Sequence, residues 1–282
     1  MSESANTGDA EKKSSSRAGR DLPAAIGVGL GLVAMIVISL FYAKTVFAFI
    51  VMAALTIGVF ELASEMRTGG IKLPAVPVAA GGVIAMLVAY FGGSLEYVLL
   101  TFAATILAIF LVRMPAGPEG FVRDASAGFL SLGYLFLMGT LVMLMLAEVD
   151  GHWRVLAFIA CTAGSDIGGY AVGVLFGKHP LAPKISPKKS WEGLAGSAAV
   201  GILIGSLIAV FGFETDWWIG AILGIAAAVF GTFGDLCESM IKRDLGIKDM
   251  GNLLPGHGGI MDRLDSLLIV APVAFVVMYA LI

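Results

Sequence analysis

The chain has 282 residues, 58% of them hydrophobic and only 14% charged, against roughly 25% charged residues in soluble globular domains. With 37 glycines and a formal net charge of −3, this composition excludes an ordinary soluble enzyme. It points to a multi-span membrane protein in which Gly allows close helix packing. The two cysteines, Cys161 and Cys237, frame no disulfide scaffold, match no metal-site spacing and read as small apolar thiols.

Residues 1–21 form a polar, Ser-, Ala- and charge-rich tail without apolar periodicity, predicted to be disordered and cytoplasmic. It is not read as a cleavable signal peptide, because the following apolar stretch is too long and no small-residue cleavage site closes it. Apolar runs long enough to cross a bilayer then recur near 23–43, 46–64, 74–92, 95–112, 126–147, 154–177, 193–213, 217–238 and 264–282. A span needs about 20 apolar residues, so the prediction is an all-α polytopic protein of about nine transmembrane helices. It forms one transmembrane domain, 22–282, with N-terminal spans to residue 147 and a polar, site-bearing half from 154 to 282. The spans at 154–177 and 217–238 stand out for the carboxylates Asp166 and Asp235. An ionisable group inside a span is costly and marks a functional candidate.

Nine alternating spans divide the polar segments into two sets. The tail and the loops after the second, fourth, sixth and eighth spans hold 16 of the 18 Lys and Arg residues, leaving only Lys44 and Arg154 on the other side. Positive charge favours the cytoplasmic side, so the N-terminus and the polar loops are predicted to be cytoplasmic. Trp153, Trp217 and Trp218 then fall at the outer interface, where Trp anchors. The expected location is the plasma membrane. Gly27 and Gly31, Gly164 and Gly168, and Gly169, Gly173 and Gly177 recur at four-residue spacing, the pattern of close helix packing. Glycine-rich faces of this kind also make a homodimer plausible.

Two predicted cytoplasmic loops carry the chemistry. One runs through Ser186, Lys188, Lys189, Ser190, Trp191 and Glu192; the other holds Lys242, Arg243, Lys248, Asp249, His257, Gly258, Gly259, Asp262, Arg263 and Asp265. Six cations (Lys188, Lys189, Lys242, Arg243, Lys248 and Arg263) beside glycine-rich backbone at a helix start suit a polyphosphate. No GxxxxGK[ST] is present, so the site is not a P-loop. Asp235, Asp262 and Asp265 are hard oxygen ligands beside that phosphate site, the donor set expected of Mg²⁺, with a second cation possible. The plainer alternatives are attraction of the loop cations to anionic lipid and pairing of Asp235 and Asp265 with Lys242 and Arg263.

At these loops the sequence resembles the phosphatidate cytidylyltransferase, or CDP-diacylglycerol synthase, family. The family's C-terminal signature is matched by Ser239, Lys242, Arg243, Lys248, Asp249, Pro255, His257, Gly258, Gly259, Asp262, Arg263 and Asp265. Its Ser-Pro-Lys-Lys-Thr-x-Glu-Gly loop is matched by Ser186, Pro187, Lys188, Lys189, Ser190, Glu192 and Gly193, with Ser190 keeping the usual hydroxyl. The resemblance covers residues 160–266, including Gly234 and Asp235. It implies a nucleotidyltransferase that makes CDP-diacylglycerol and pyrophosphate from CTP and phosphatidate, with no nucleic-acid partner.

On this reading Asp235, Asp262 and Asp265 hold Mg²⁺, while Lys242, Arg243, Lys248 and Arg263 bind phosphates. His257 and the Gly258–Gly259 backbone position them. Ser186, Lys188, Lys189, Ser190 and Asp166 complete the substrate pocket, and Glu192 and Asp249 orient the cations. The alternatives are a CTP-dependent lipid kinase, a cytidylyltransferase for another lipid, or, from a different class, an ion- or proton-coupled transporter relaying through Asp166 and Asp235.

Overall fold

The computed structural model describes residues 22–247, 249–251 and 259–282. Residues 1–21, and with them the predicted disordered tail, lie outside this set. So do Lys248, Pro255, His257 and Gly258. The described chain is helical almost throughout: α1 (Leu22–Tyr42), α2 (Lys44–Thr68), α3 (Ala75–Tyr90), α4 (Leu95–Arg113), α5 (Phe121–Ser131), α6 (Met138–Ala147), α7 (Gly151–Phe176), α8 (Trp191–Gly212), α9 (Trp217–Asp244) and α10 (Met261–Leu281). A wide helical turn over Leu132–Leu137 joins α5 to α6 in one rod, the kind of bulge that re-aims side chains within a helix.

Among the described residues, seven helical stretches are long and apolar enough to cross a membrane; Gly31–Tyr42 and Ala75–Tyr90 are shorter apolar helices. The apolar runs in the sequence therefore locate the helices. Three details differ from the sequence expectation. The segment after α7 is a small antiparallel hairpin, β1 (Pro180–Ala182) with β2 (Ser186–Ser190). Next, α9 continues to Asp244, so Lys242 and Arg243 sit on a helix instead of a loop. Nothing breaks α9 until Gly246, at φ +69°, and Lys242 reaches back one turn to Glu238 at 2.6 Å, a favourable i,i+4 pair. Finally, α10 begins at Met261, which places Asp262 in its first turn.

Two packing regimes meet. The N-terminal helices share a core of large apolar side chains, including Leu55, Met86, Leu135, Phe136 and Met143, all fully buried. The helices α7 to α10 pack through small residues instead. A Cβ on Gly201 would lie 2.5 Å from the Gly224 carbonyl, and Gly220 abuts the backbone of Gly205, so α8 and α9 cross at backbone contact. The close-packing reading holds for Gly164, Gly168 and Gly169, which face α8. It does not hold for Gly27 and Gly31, where an added Cβ would meet nothing within 4 Å.

Candidate active site

The polar residues of α7, the hairpin, α9 and α10 converge at one end of the glycine-packed bundle. Asp235, on α9, forms an ion pair with Lys189 at the end of β2, and it accepts a hydrogen bond of 2.6 Å from the Ser266 hydroxyl of α10. Lys189 also donates to the Thr232 carbonyl at 3.4 Å. Gly234 makes this approach possible, because a Cβ there would lie 2.5 Å from the Asp265 carbonyl. Two turns further along α9, Lys242 bridges Glu238 and Asp262, both at 2.6 Å. Asp265 lies between the two groups, an electrostatic neighbour of both Asp235 and Glu238. Asp166, Asp235, Asp265, Glu238 and Asp262 thus form a carboxylate-rich strip, with Lys189 and Lys242 as its two ammonium groups.

The strip borders a cavity of about 520 Å³ lined by Asp166, Tyr170, Ser186, Lys188, Lys189 and Asp235, among others. Its lining is mixed: lysines, aspartates and hydroxyls together with the apolar Tyr170, Val174, Leu181 and Leu194. Tyr170 and Val174 belong to the exposed apolar face of α7, the face a bilayer would cover. The hairpin supplies the cations. Ser190 accepts the Gly193 N–H at 3.1 Å and so caps α8, a standard helix start. Arg243 donates to the Ile185 carbonyl at 2.8 Å through Nε and again through Nη2, tying the hairpin to α9. Glu192 accepts the N–H groups of Lys178 and His179 at 3.1 and 3.2 Å and meets His179 Nδ1 at 2.5 Å. It therefore fastens the loop entering the hairpin through Lys178 and His179.

The structure gathers Asp166, Ser186, Lys188, Lys189, Ser190 and Asp235 around one cavity. Lys242, Asp262 and Asp265 adjoin it through the strip. Asp249 and Arg263 are exposed. Lys248, His257 and Gly258 fall outside the described residues. Among the described residues no three acidic, His or Cys side chains converge on one ion. Asp262 is already engaged: beyond Lys242, it accepts the Gly259 N–H at 2.8 Å and the Met250 N–H at 3.2 Å. The backbone donor of Gly259, expected to face phosphate, is thus satisfied within the chain.

Three contributors escape the sequence reading. Ser266 has no signal beyond its position one residue after Asp265. Glu238 and Glu61 carry the same signal that singles out Asp166 and Asp235, a carboxylate inside a predicted span. Glu238 is 3% exposed, and its Oε1 has no hydrogen-bond donor among the described residues. Glu61, on α2, accepts the N–H groups of Ile260 and Met261 at the start of α10, at 3.2 and 3.1 Å.

The described chain is a bundle that includes seven helices long and apolar enough to cross a membrane, with a cavity lined by cations, carboxylates and apolar side chains. The chain belongs to the Cytidylyltransferase family, whose pattern matches residues 23–281. It is 40% identical over 279 residues to the phosphatidate cytidylyltransferase of Mycobacterium leprae, covering 93% of this chain and 89% of that protein. The phosphatidate cytidylyltransferase of Mycobacterium tuberculosis strain H37Rv is 40% identical over 277 residues, 93% of this chain and 84% of that one. The Pseudomonas aeruginosa enzyme of the same name is 44% identical over 128 residues, 45% of this chain and 47% of that protein.

Proposed function

We propose that this chain is a phosphatidate cytidylyltransferase: a phosphate oxygen of phosphatidate attacks the α-phosphorus of CTP, the bond to the β-phosphate breaks, and CDP-diacylglycerol and pyrophosphate form. The observation that carries the reading is the mixed lining of the cavity, cationic at Lys188 and Lys189 and apolar at Tyr170, Val174 and Leu194. It accepts a phosphate while an acyl chain stays with the bilayer.

The physical obstacle is charge. A phosphomonoester carries about −1.5 to −2 at pH 7, so the nucleophile has little need of a general base, but it must approach a triphosphate. Lys188 and Lys189 neutralise phosphate from the fixed hairpin, where preorganised charges need no reorganisation as the reaction proceeds. Lys189 exchanges its partner Asp235 for a substrate oxygen, and Ser266 keeps the Asp235 carboxylate aimed into the cavity. Lys242, held between Glu238 and Asp262, ties α9 to the start of α10, and Arg243 fixes the hairpin that carries the lysines.

The donor set also fits Mg²⁺. Asp235 and Asp265 approach each other beside Glu238, whose second oxygen has no donor among the described residues. Mg²⁺ commonly uses one or two carboxylates together with substrate phosphates, so a preformed cage of three is not required. Asp235 and Asp265 would hold the ion, which would supply charge neutralisation on the triphosphate. The engagement of Asp262 by Lys242 and two backbone N–H groups favours a structural role for it.

The partition of basic residues supports nine spans, a cytoplasmic N-terminus and a site opening to the cytoplasmic side of the plasma membrane, where CTP is available. The test is incubation of purified protein with labelled CTP. Release of pyrophosphate only when phosphatidate is present, with label appearing in lipid, is the expected result. CDP release with phosphate transfer to lipid would identify a kinase, and no CTP turnover at all would overturn the reading.

A further inference from the structure

One place where the N-terminal helices reach the site is Glu61. Glu61 stands on α2, some 200 residues upstream of the segment that it touches. Its Oε1 accepts the Ile260 N–H at 3.2 Å and its Oε2 the Met261 N–H at 3.1 Å. These are among the backbone donors that the first turn of a helix leaves without partners. The position before α10 is Ile260, which has no side-chain cap of its own, so the cap comes from another helix. A carboxylate is well suited to it, because the helix dipole places partial positive charge there.

The backbone at Gly251 and Gly259 fits around this carboxylate. A Cβ on Gly251 would lie 2.6 Å from Glu61 Oε1, and one on Gly259 would lie 2.8 Å from Oε2. Glycine at both positions forms a slot that the carboxylate fills. Asp262 follows immediately in the chain and takes the Gly259 and Met250 N–H groups together with Lys242. Two carboxylates, one from each half of the molecule, therefore clasp the same backbone.

We infer that Glu61 is a positioning residue for the transfer reaction: by capping α10 from α2 it sets the register at which Asp262 meets Lys242 and Asp265 meets Asp235. The inference rests on the phosphatidate cytidylyltransferase reading for its kinetic consequences, though not for the clasp itself. It also gives the N-terminal half a part in the site, which its apolar sequence does not suggest.

The experiment compares wild type, Glu61→Gln and Glu61→Ala as full chains in detergent. Amide hydrogen exchange at Ile260 and Met261 reads the clasp directly. It should accelerate in Glu61→Ala and less so in Glu61→Gln, which keeps one acceptor. The value of kcat should fall about tenfold or more in Glu61→Ala, the scale of losing charge-assisted hydrogen bonds, with KM for phosphatidate unchanged and Glu61→Gln intermediate. Adding Glu61→Ala to Asp262→Asn should cost less than the product of the single losses, as expected for two groups holding one loop.

Unchanged exchange at Ile260 and Met261 would overturn the inference. So would a loss of activity that only tracks the folded fraction, or additive effects with Asp262→Asn. Should Glu61→Ala fail to fold, Glu61→Gln alone decides through the same readouts. If wild-type protein makes no CDP-diacylglycerol, the functional reading fails, while exchange at α10 still judges the clasp.

Discussion

Two ion pairs, one in each half of the molecule, look alike in sequence and differ in kind. Arg113 of α4 and Asp124 of α5 meet at 2.8 Å with side chains 7% and 1% exposed. Every direction around them is filled: Arg113 also donates to the Gly117 and Glu119 carbonyls, and Asp124 also accepts the Lys72 N–H at 2.9 Å. Lys189 and Asp235 are 24% and 30% exposed and line a cavity. The first pair is closed and pins three chain segments together. The second is open to a cavity, and under the proposed function it exchanges its partners for substrate. Charge within an apolar protein marks function only where the charge still has somewhere to turn.

The largest effect expected is on the closed pair. Asp124→Ala leaves Arg113 buried without its anion, and breaking such a pair costs about 3–5 kcal/mol. Thermal unfolding in detergent should drop sharply, while activity per folded molecule stays near wild type. A selective loss of turnover would erase the distinction between the pairs.

Asp235→Asn should do the opposite. Removing one preorganised charge from a reacting site costs about 10²–10³-fold in rate, so turnover should collapse while the unfolding temperature barely moves. Retained turnover with lowered stability would make Asp235 a structural group like Asp124.

Lys189 sharpens the same contrast at smaller scale. Lys189→Gln should lower activity about tenfold or more, the scale of one charge-assisted contact of about 1.5–3 kcal/mol, and Lys189→Arg should lower it less. A Lys12→Gln, Lys13→Gln double variant should match wild type in the same micelles. Equal, mild losses in both would return Lys189 to general attraction for anionic lipid.

The smallest effect belongs to Glu192, which clasps the loop entering the hairpin. Glu192→Gln keeps acceptors for the Lys178 and His179 N–H groups, so kcat/KM for CTP should fall no more than a few-fold. A loss as large as that of Asp235→Asn would place Glu192 among the groups acting on substrate.

The sequence by itself located the helices, because an apolar run of bilayer length has one low-energy use. The motif residues 186–193 and 239–265 also marked the neighbourhood of the site. Neither the runs nor the motif distinguishes an engaged carboxylate from an open one. Asp262 and Asp235 fall under the same family resemblance, yet Asp262 is saturated by Lys242 and backbone donors while Asp235 faces a cavity. The hairpin was hidden because its strands are three and five residues long, too short for a period of two to register. Glu61 was legible only as a costly carboxylate in a span. Its partner, the uncapped start of α10, lies some 200 residues away, and only the packing of α2 against α10 brings them together. Composition and periodicity report where a segment lies relative to the bilayer, a property of the segment alone. Which donors a carboxylate finds depends on what the other helices place beside it, and that was decided by the tertiary structure.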